Sequence, residues 1–205
     1  MAAADAADAA DDAVPVDAGV HFSGGWIRGT TLYWDPLPHQ RYPELNDLGK
    51  DVLGAVTTVV INAPGFPFMG SVLPSVTRIR FWTTTTDQGV KNAADSFPGL
   101  AVVWMRQCHR ITDRALIALA DGCDGLQEVY AEYCDNLTDV AIVALADSCA
   151  WLEIVMTMGC VHITPAVRQE VESSLKLREK PPPRPDGWWL VDDDIVAPSL
   201  KGHMN

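Results

Sequence analysis

Apolar and polar positions follow one repeating order along the middle of the chain. A short extended run comes first, as in LAVVWM (100–105), LQEVYA (126–131) and LEIVMT (152–157). A segment then follows in which apolar residues recur three or four positions apart, the spacing of one helix face. The pattern therefore predicts a strand followed by a helix in each copy.

The copies are 26 residues apart. Cys108, Cys134 and Cys160 are in register at this spacing, and Cys123 is in register with Cys149. Several independent columns that share one period indicate an internal repeat. The same spacing relates four threonines: Thr86, Thr112, Thr138 and Thr164.

Each predicted helix begins at one of these threonines, because a Thr or Asp side chain can cap the exposed N–H groups of a first turn. An acidic residue in that turn also favours the helix dipole, and in the last copy Pro165 replaces it. The last helix has a partly polar inner stripe, typical of the capping helix of a solenoid. The inner stripes are Val90, Ala93, Ala94 and Phe97; Leu116, Leu119, Ala120 and Cys123; Ile142, Leu145, Ala146 and Cys149; and Arg168, Val171, Glu172 and Leu175.

A strand and a helix every 26 residues, with leucine at fixed strand positions, is the leucine-rich-repeat pattern. The motif Cys-x-x-hydrophobic-Thr-Asp occurs as CHRITD and CDNLTD, and as CVHITP with proline for Asp. It resembles the cysteine-containing leucine-rich-repeat family, known from F-box substrate receptors of ubiquitin ligases and from antagonist-of-mitotic-exit type proteins. We therefore expect a short α/β solenoid with parallel strands on its concave face and helices on its convex face.

Four segments are predicted along the chain. Residues 1–25 are predicted as an acidic disordered leader, and residues 26–75 as an N-terminal cap with one strand. Residues 76–177 are predicted to hold the repeats and the C-terminal capping helix, and residues 178–205 a Pro/Trp/Asp tail. The strand of the cap is AVTTVVINA (55–63), which is rich in β-branched residues and should pair with the first repeat strand near Thr77 to Phe81.

The cap region carries a second resemblance. An aromatic- and glycine-containing start, a strand, a GF-containing loop and degenerate repeats are similar to the mitochondrial ATP synthase subunit s (factor B) family. The related distal membrane-arm assembly component of complex I has a similar layout, and the local likeness is GFPFMGSVLPSVTRIRF. This resemblance implies association with a respiratory complex. LPHQRYPEL has the opening Leu-Pro of an F-box, but Pro43 and Gly49 interrupt the helices that an F-box needs, so none is expected.

The cysteines are interpreted as packing groups. Cys108, Cys134 and Cys160 lie where strands turn toward helices, and Cys123 and Cys149 lie on inner helix stripes. A zinc site would need ligands that converge on one point, whereas His109 and His162 merely follow column cysteines and should point elsewhere. Disulfides between stacked strands are not expected either, because strands lie about 4.8 Å apart and a bridge needs Cβ atoms about 3.8 Å apart.

Composition and motif content limit the classes of function that fit this chain. The 205-residue chain has 27 acidic and 15 basic residues and a net charge of −12, which argues against general nucleic-acid binding. No targeting signal is recognised and few cysteines are present, so we expect a reducing intracellular compartment, the cytoplasm by default and the mitochondrion as the alternative. No phosphate loop, nucleophile motif or carboxylate pair points to catalysis. We expect no enzymatic activity, cofactor, metal, small-molecule substrate or direct membrane insertion.

The predicted partner-binding surface is the outward side of the repeat strands. One outward column should contain Arg78, Trp104, Tyr130 and Met156, and a second Arg80, Arg106, Glu132 and Met158, flanked by Phe81, Gln107 and Tyr133. Trp, Tyr, Arg and Met are enriched in protein interfaces, and the arginines near the first repeats suggest an acidic partner segment. In the tail, Trp188 and Trp189 either fold back onto the solenoid or anchor a partner. The complete predicted site is Arg78, Arg80, Trp104, Arg106, Tyr130, Glu132, Tyr133, Met156, Trp188 and Trp189.

The sequence thus predicts a non-catalytic, acidic leucine-rich-repeat scaffold that binds proteins, as a structural or assembly subunit of a larger complex. Two alternatives share the fold: a substrate-recognition module of a ubiquitin ligase without a recognisable F-box, and a factor associated with mitochondrial ATP synthase or a respiratory complex. An enzyme or metal protein that uses the cysteines is a third class, against which the repeat register argues.

Overall fold

A computed structural model describes residues 20–22, 25–34, 48–62 and 73–178. Within these ranges the strands form one sheet whose spatial order follows the chain from β1 to β8. The elements are β1 (Val20–Phe22), β2 (Gly25–Arg28), β3 (Thr31–Trp34), α1 (Lys50–Gly54), β4 (Thr58–Ile61), β5 (Arg78–Phe81), α2 (Asp87–Ser96), β6 (Val102–Trp104), α3 (Asp113–Gly122), β7 (Glu128–Tyr130), α4 (Asp139–Ser148), β8 (Ile154–Met156) and α5 (Pro165–Leu177).

The sheet is antiparallel at its start and parallel afterwards. β1 pairs with β2 and β2 with β3 in antiparallel fashion, whereas every pair from β3–β4 to β7–β8 is parallel. From β5 onward one helix connects each strand to the next, and consecutive helices from α2 to α5 contact one another. The expected α/β class is confirmed: a mostly parallel sheet alternates with helices in a solenoid-like arrangement.

The prediction of one strand in residues 26–75 is wrong. β2 and β3 also lie there, and they form a hairpin around Gly29, whose φ of 57° is in the left-handed region that glycine adopts without strain. β1 falls inside the predicted leader, so the leader cannot extend to residue 25. These strands were missed because they have three or four residues and stand outside the 26-residue period. The predicted pairing of the later cap strand is confirmed, since β4 pairs with β5.

Threonine side chains cap the helices as the sequence predicts. The Thr86 hydroxyl accepts from the Gly89 N–H, and those of Thr112 and Thr138 accept from the N–H two residues ahead. The Thr164 hydroxyl caps α5 by accepting from the Val167 N–H, and Pro165 occupies the first turn. Each of these helices therefore begins where its own sequence satisfies an exposed backbone donor.

Aspartate side chains link the start of each helix to the start of the next. The capping rule for a single helix does not predict these bonds. One carboxylate oxygen accepts from the backbone N–H of the next repeat's threonine, and the other accepts from its hydroxyl. Because these bonds join residues 25 positions apart, they hold consecutive repeats together. The distances are 2.7 and 2.8 Å from Asp87 to Thr112, 2.8 and 2.7 Å from Asp113 to Thr138, and 2.7 and 2.9 Å from Asp139 to Thr164.

The core lies between the sheet and the helices. The inner stripes predicted for α2, α3 and α4 are buried, together with Ile79, Val103 and Val129 of the strands. In α5 only part of the stripe is covered: Val171 is buried, Arg168 and Leu175 are half-buried, and Glu172 is exposed. Arg178, which follows α5, donates to the carbonyls of Ala146 and Cys149 and so satisfies the C-terminal end of α4.

Candidate protein interface

Strand side chains that point away from the core form one continuous surface on β5 to β8. They alternate with the buried strand residues and are aligned in rows by the parallel pairing. The pairing continues just past the strand ends, where the Gln107 N–H donates to the Glu132 carbonyl and the Tyr133 N–H to the Met158 carbonyl, both at 2.8 Å. We call this surface the strand face; it consists of Arg78, Arg80, Trp82, Trp104, Arg106, Glu128, Tyr130, Glu132, Tyr133, Ile154, Met156 and Met158.

The row predicted to begin with Arg78 is wrong in its first member. Arg80, not Arg78, pairs with Trp104, so the central row reads Arg80, Trp104, Tyr130 and Met156. The reason is local: the cap Thr86 follows Arg80 by six positions, whereas Thr112 follows Trp104 by eight. The first repeat keeps the 26-residue period in its helix but loses two residues from its strand–helix connection.

The same offset moves the neighbouring residues. Arg78 lies beside Val102 in the row that continues through Glu128 and Ile154. Phe81, predicted to flank the surface, is buried in the core. Trp82, which follows it, is exposed and was not among the predicted site residues.

An aromatic pair occupies the centre of the strand face. The rings of Trp104 and Tyr130 are stacked, with centroids 6.0 Å apart and planes inclined by 14°. The Tyr130 hydroxyl donates to a Glu128 carboxylate oxygen at 2.8 Å. Burial and this hydrogen bond raise the pKa of Tyr130 to about 12. The stacking and the hydrogen bond thus orient both rings before any partner binds.

Arginine side chains lie to the β5 and β6 side of the aromatic pair. The Arg106 guanidinium lies 5.6 Å from the Tyr133 ring centroid, and its Nε is 3.7 Å from a Glu132 carboxylate oxygen. Arg80 lies 5.8 Å from the Trp82 ring centroid. Such positions over aromatic faces are favourable for guanidinium groups. Among the described residues no carboxylate forms an ion pair with Arg78 or Arg80.

The backbone after each strand is left-handed at one repeat position. Gln107 and Tyr133 have φ values of 56° and 55°, and Gly159 in the next repeat has 77°. A Cβ on Gly159 would lie 2.3 Å from Cδ1 of Tyr133, so the tyrosine ring packs directly against this glycine. Side chains at such positions cost about 1–2 kcal/mol of backbone strain. Tyr133 thus keeps an exposed ring at a position that glycine fills at lower cost.

The character of the strand face changes across the sheet. β5 and the end of β6 contribute arginines, and β7 contributes tyrosine and glutamate. The last strand contributes apolar side chains alone: Ile154, Met156 and Met158 are 37%, 45% and 48% exposed. β8 ends the strand order within the described residues, and its core residue Val155 is half-buried although Val103 and Val129 are fully covered.

The five cysteines lie away from the strand face. All are free and buried. The thiols of Cys108, Cys134 and Cys160 donate to carbonyls of the preceding repeat, those of Trp82, Met105 and Ala131, at 3.2, 2.9 and 3.0 Å. These bonds join the loops of consecutive repeats, beside the aspartate bonds at the helix starts.

The surroundings of four of these cysteines favour the protonated thiol by raising its pKa. Burial raises the pKa of Cys123 to about 12 and that of Cys149 to about 11. Burial also raises the pKa of Cys160, and a hydrogen bond with the Cys108 thiol, together with burial, raises that of Cys134. Thiolates are the nucleophiles and metal ligands of cysteine chemistry, so these four thiols are poorly suited to either role.

The described ranges contain neither a metal-binding cluster nor a membrane-spanning helix. No cluster of three or more histidine, cysteine or acidic side chains could hold a metal ion there. No helix in the same ranges is long and apolar enough to cross a membrane. Of the predicted site residues, Trp188 and Trp189 lie outside the described part of the chain.

Comparison with known proteins shows no family for this chain. No family model matches the sequence, and no curated protein matches it. One solved structure that is similar is described as the crystal structure of a TLR13–ssRNA13 complex; the identity is 13% and the TM-score 0.42. The likeness covers 63% of this chain and 20% of that one, so the chain spans about a fifth of its length. A likeness this distant carries no inference about what the chain binds.

Proposed function

We propose that this chain is a non-catalytic leucine-rich-repeat protein that binds another protein through the strand face. The observation that carries the proposal is the stacked pair of Trp104 and Tyr130, which stands on the sheet side opposite the helices. Large aromatic side chains on a water-facing strand reduce solubility, and the partly exposed methionines beside them enlarge the apolar patch. A surface of this composition is typical of protein interfaces.

Preorganisation supports the same conclusion. The Trp104 and Tyr130 rings contact each other, Tyr130 is fixed by Glu128, and Arg106 lies over the Tyr133 ring. Side chains that are already ordered lose less conformational entropy on binding, which increases affinity for a given contact area. Tyrosine, tryptophan and arginine are also the residues that dominate binding energy in measured interfaces.

The chemistry of the buried thiols favours a structural over a catalytic role. Cysteines are the side chains that would best serve as metal ligands or nucleophiles. The thiols of Cys108, Cys134 and Cys160 instead donate hydrogen bonds to backbone carbonyls of neighbouring repeats. We therefore propose that the repeats form a rigid frame and that the strand face does the binding. As a small module with one open face, the chain would serve as a structural or assembly subunit of a larger complex.

A capture experiment tests the proposal. Tagged full-length protein is compared with a Trp104→Ala/Tyr130→Ala variant, and the bound proteins are identified by mass spectrometry. A Val140→Ala/Val143→Ala variant is the matched control, because both valines are exposed on α4, away from the strand face. Circular dichroism and thermal melting must first show that both variants are folded.

We expect particular partners at fixed stoichiometry with the wild type and the control, and their loss from the aromatic variant. Retention of all partners by the aromatic variant would place the interface elsewhere. Ligase adaptors among the lost proteins would favour the substrate-recognition alternative, and respiratory-complex subunits would favour the mitochondrial one.

A further inference from the structure

We infer that the strand face binds an extended acidic peptide segment whose acidic side chains lie on β5 and β6 and whose large apolar side chain lies on β8. This inference rests on the proposed function and specifies the partner's chemistry. It follows from the separation of charge and apolar surface across one sheet, in which each strand presents a different kind of side chain.

The arginines define the acidic end. Positive charge is concentrated at one end of the strand face, on Arg78 and Arg80 of β5 and on Arg106, which follows β6. The chain as a whole has a net charge of −12. The Arg106 contact with Glu132 is 3.7 Å, too long for a hydrogen bond. Guanidinium groups bind carboxylates through short, paired hydrogen bonds. A partner's acidic side chains would therefore find donors on β5 and β6 that the described residues leave available.

The last strand defines the apolar end. Ile154, Met156 and Met158 are all exposed, and no charged side chain stands between them on the strand face. Methionine side chains are flexible and polarizable, so they adapt to apolar groups of different shape. This end would receive a leucine, phenylalanine or similar side chain.

β7, which lies between the two ends, disfavours acidic residues in the middle of the peptide. Glu128 of β7 and Glu132, which follows this strand, would repel an acidic residue. The stacked Trp104–Tyr130 pair offers a flat surface to a peptide segment with small or polar side chains. Acidic residues distributed along the whole segment would therefore bind less well than acidic residues at one end.

Strand spacing sets the length of the segment. The three steps from β5 to β8 are each about 4.8 Å, a total of about 14 Å. An extended peptide that crosses the strands advances about 3.3 Å per residue, so the apolar residue on β8 follows the acidic residue on β5 by about four positions and the acidic residue on β6 by about three. The inference thus predicts a spacing as well as a composition.

Synthetic peptides test this directly with the full-length protein. The first probe is a fluorescein-labelled peptide with two glutamates, two Gly/Ser residues and then Leu-Phe, titrated by fluorescence anisotropy. Control peptides have no spacer, a doubled spacer, or lysines in place of the glutamates. We expect the peptide with the two-residue spacer to bind about tenfold more tightly than any control, a difference of about 1.4 kcal/mol.

Variants of the protein assign the two ends. Arg78→Gln/Arg80→Gln should weaken binding by about tenfold and reduce its dependence on salt, since screening acts on the charged end. Met156→Ser/Met158→Ser should weaken binding by a similar factor and leave the salt dependence unchanged. Val140→Ser, on α4, should have no effect. Thermal melting of each variant separates lost binding from lost folding.

Three outcomes would overturn the inference: affinity that is insensitive to spacer length, affinity that survives the arginine substitutions, or no binding of any peptide. If the strand face still captures protein partners in the experiment above, only the inference fails and the proposed function stands. A Trp188→Ala/Trp189→Ala variant tests whether the chain's own tail is the segment that occupies the strand face. Much tighter peptide binding by that variant would mean that the chain's own tail occupies the strand face, which also overturns the inference.

Discussion

The two sides of the same strands differ in how strictly the repeat specifies them. On the buried side, consecutive strands β6, β7 and β8 carry valine at one position: Val103, Val129 and Val155. On the exposed side, one residue later, they carry tryptophan, tyrosine and methionine. Each repeat must fit the same neighbouring surface, so packing fixes the buried side chain. Packing does not determine the exposed side chain, so the aromatic residues there are available for the binding role proposed above.

The largest expected effect comes from the buried side. Leu119 is fully buried on α3, so Leu119→Ala removes apolar burial and leaves a cavity. We expect the free energy of unfolding to fall by about 2–5 kcal/mol, as measured by urea denaturation followed by circular dichroism. Val143→Ala on the exposed face of α4 is the control, with a loss below about 1 kcal/mol. Equal losses for the two variants would contradict the distinction between the two sides.

The aspartate bridges are expected to come next. Asp113→Ala removes both hydrogen bonds to Thr138 and leaves that backbone N–H without its protein acceptor. We expect a loss of about 1–2 kcal/mol, the usual value for a helix N-cap. Asp147→Ala tests the charge alone, because Asp147 is an exposed residue near the end of α4. A loss as large for Asp147→Ala would show that the bridge geometry contributes little.

Features that recur in every copy were predictable from the sequence. The 26-residue period located the strands, and the threonine column gave the helix starts. The inner stripes followed from helical spacing, because the same side chains must face the sheet in each repeat. Outward aromatic residues could also be named, since alternation on a strand assigns neighbours to opposite sides.

Features that depend on one copy were not predictable. The connection from β5 to α2 is two residues shorter than its counterpart, and a fixed period therefore exchanged Arg78 for Arg80 in the central row. The β2–β3 hairpin has no second copy with which to align. The aspartates bond to residues of the following repeat, so the capping rule, which concerns a single helix, gave no indication of those bonds.

A smaller effect should appear at alkaline pH. Burial raises the pKa of Cys123 from 9.0 to about 12, so the folded state holds this proton more tightly than the unfolded state. Stability from this group is complete below pH 9 and falls as pH rises from 9 toward 12. In reducing buffer, Cys123→Ala should show a shallower decline of melting temperature over this range. Parallel declines for the variant and the wild type would contradict the expected linkage.

The smallest effect on stability is expected for the residues that the binding proposals need most. Arg78 and Met156 stand on the strand face, and the side chain of neither forms a hydrogen bond or ion pair with another described residue. Arg78→Gln and Met156→Thr should each change the free energy of unfolding by no more than about 0.5 kcal/mol, in the urea titrations used for Leu119→Ala. A loss above about 2 kcal/mol would assign these side chains to structure. If stability is unchanged and partner binding is lost, the exposed side is maintained for recognition, because folding places no demand on it.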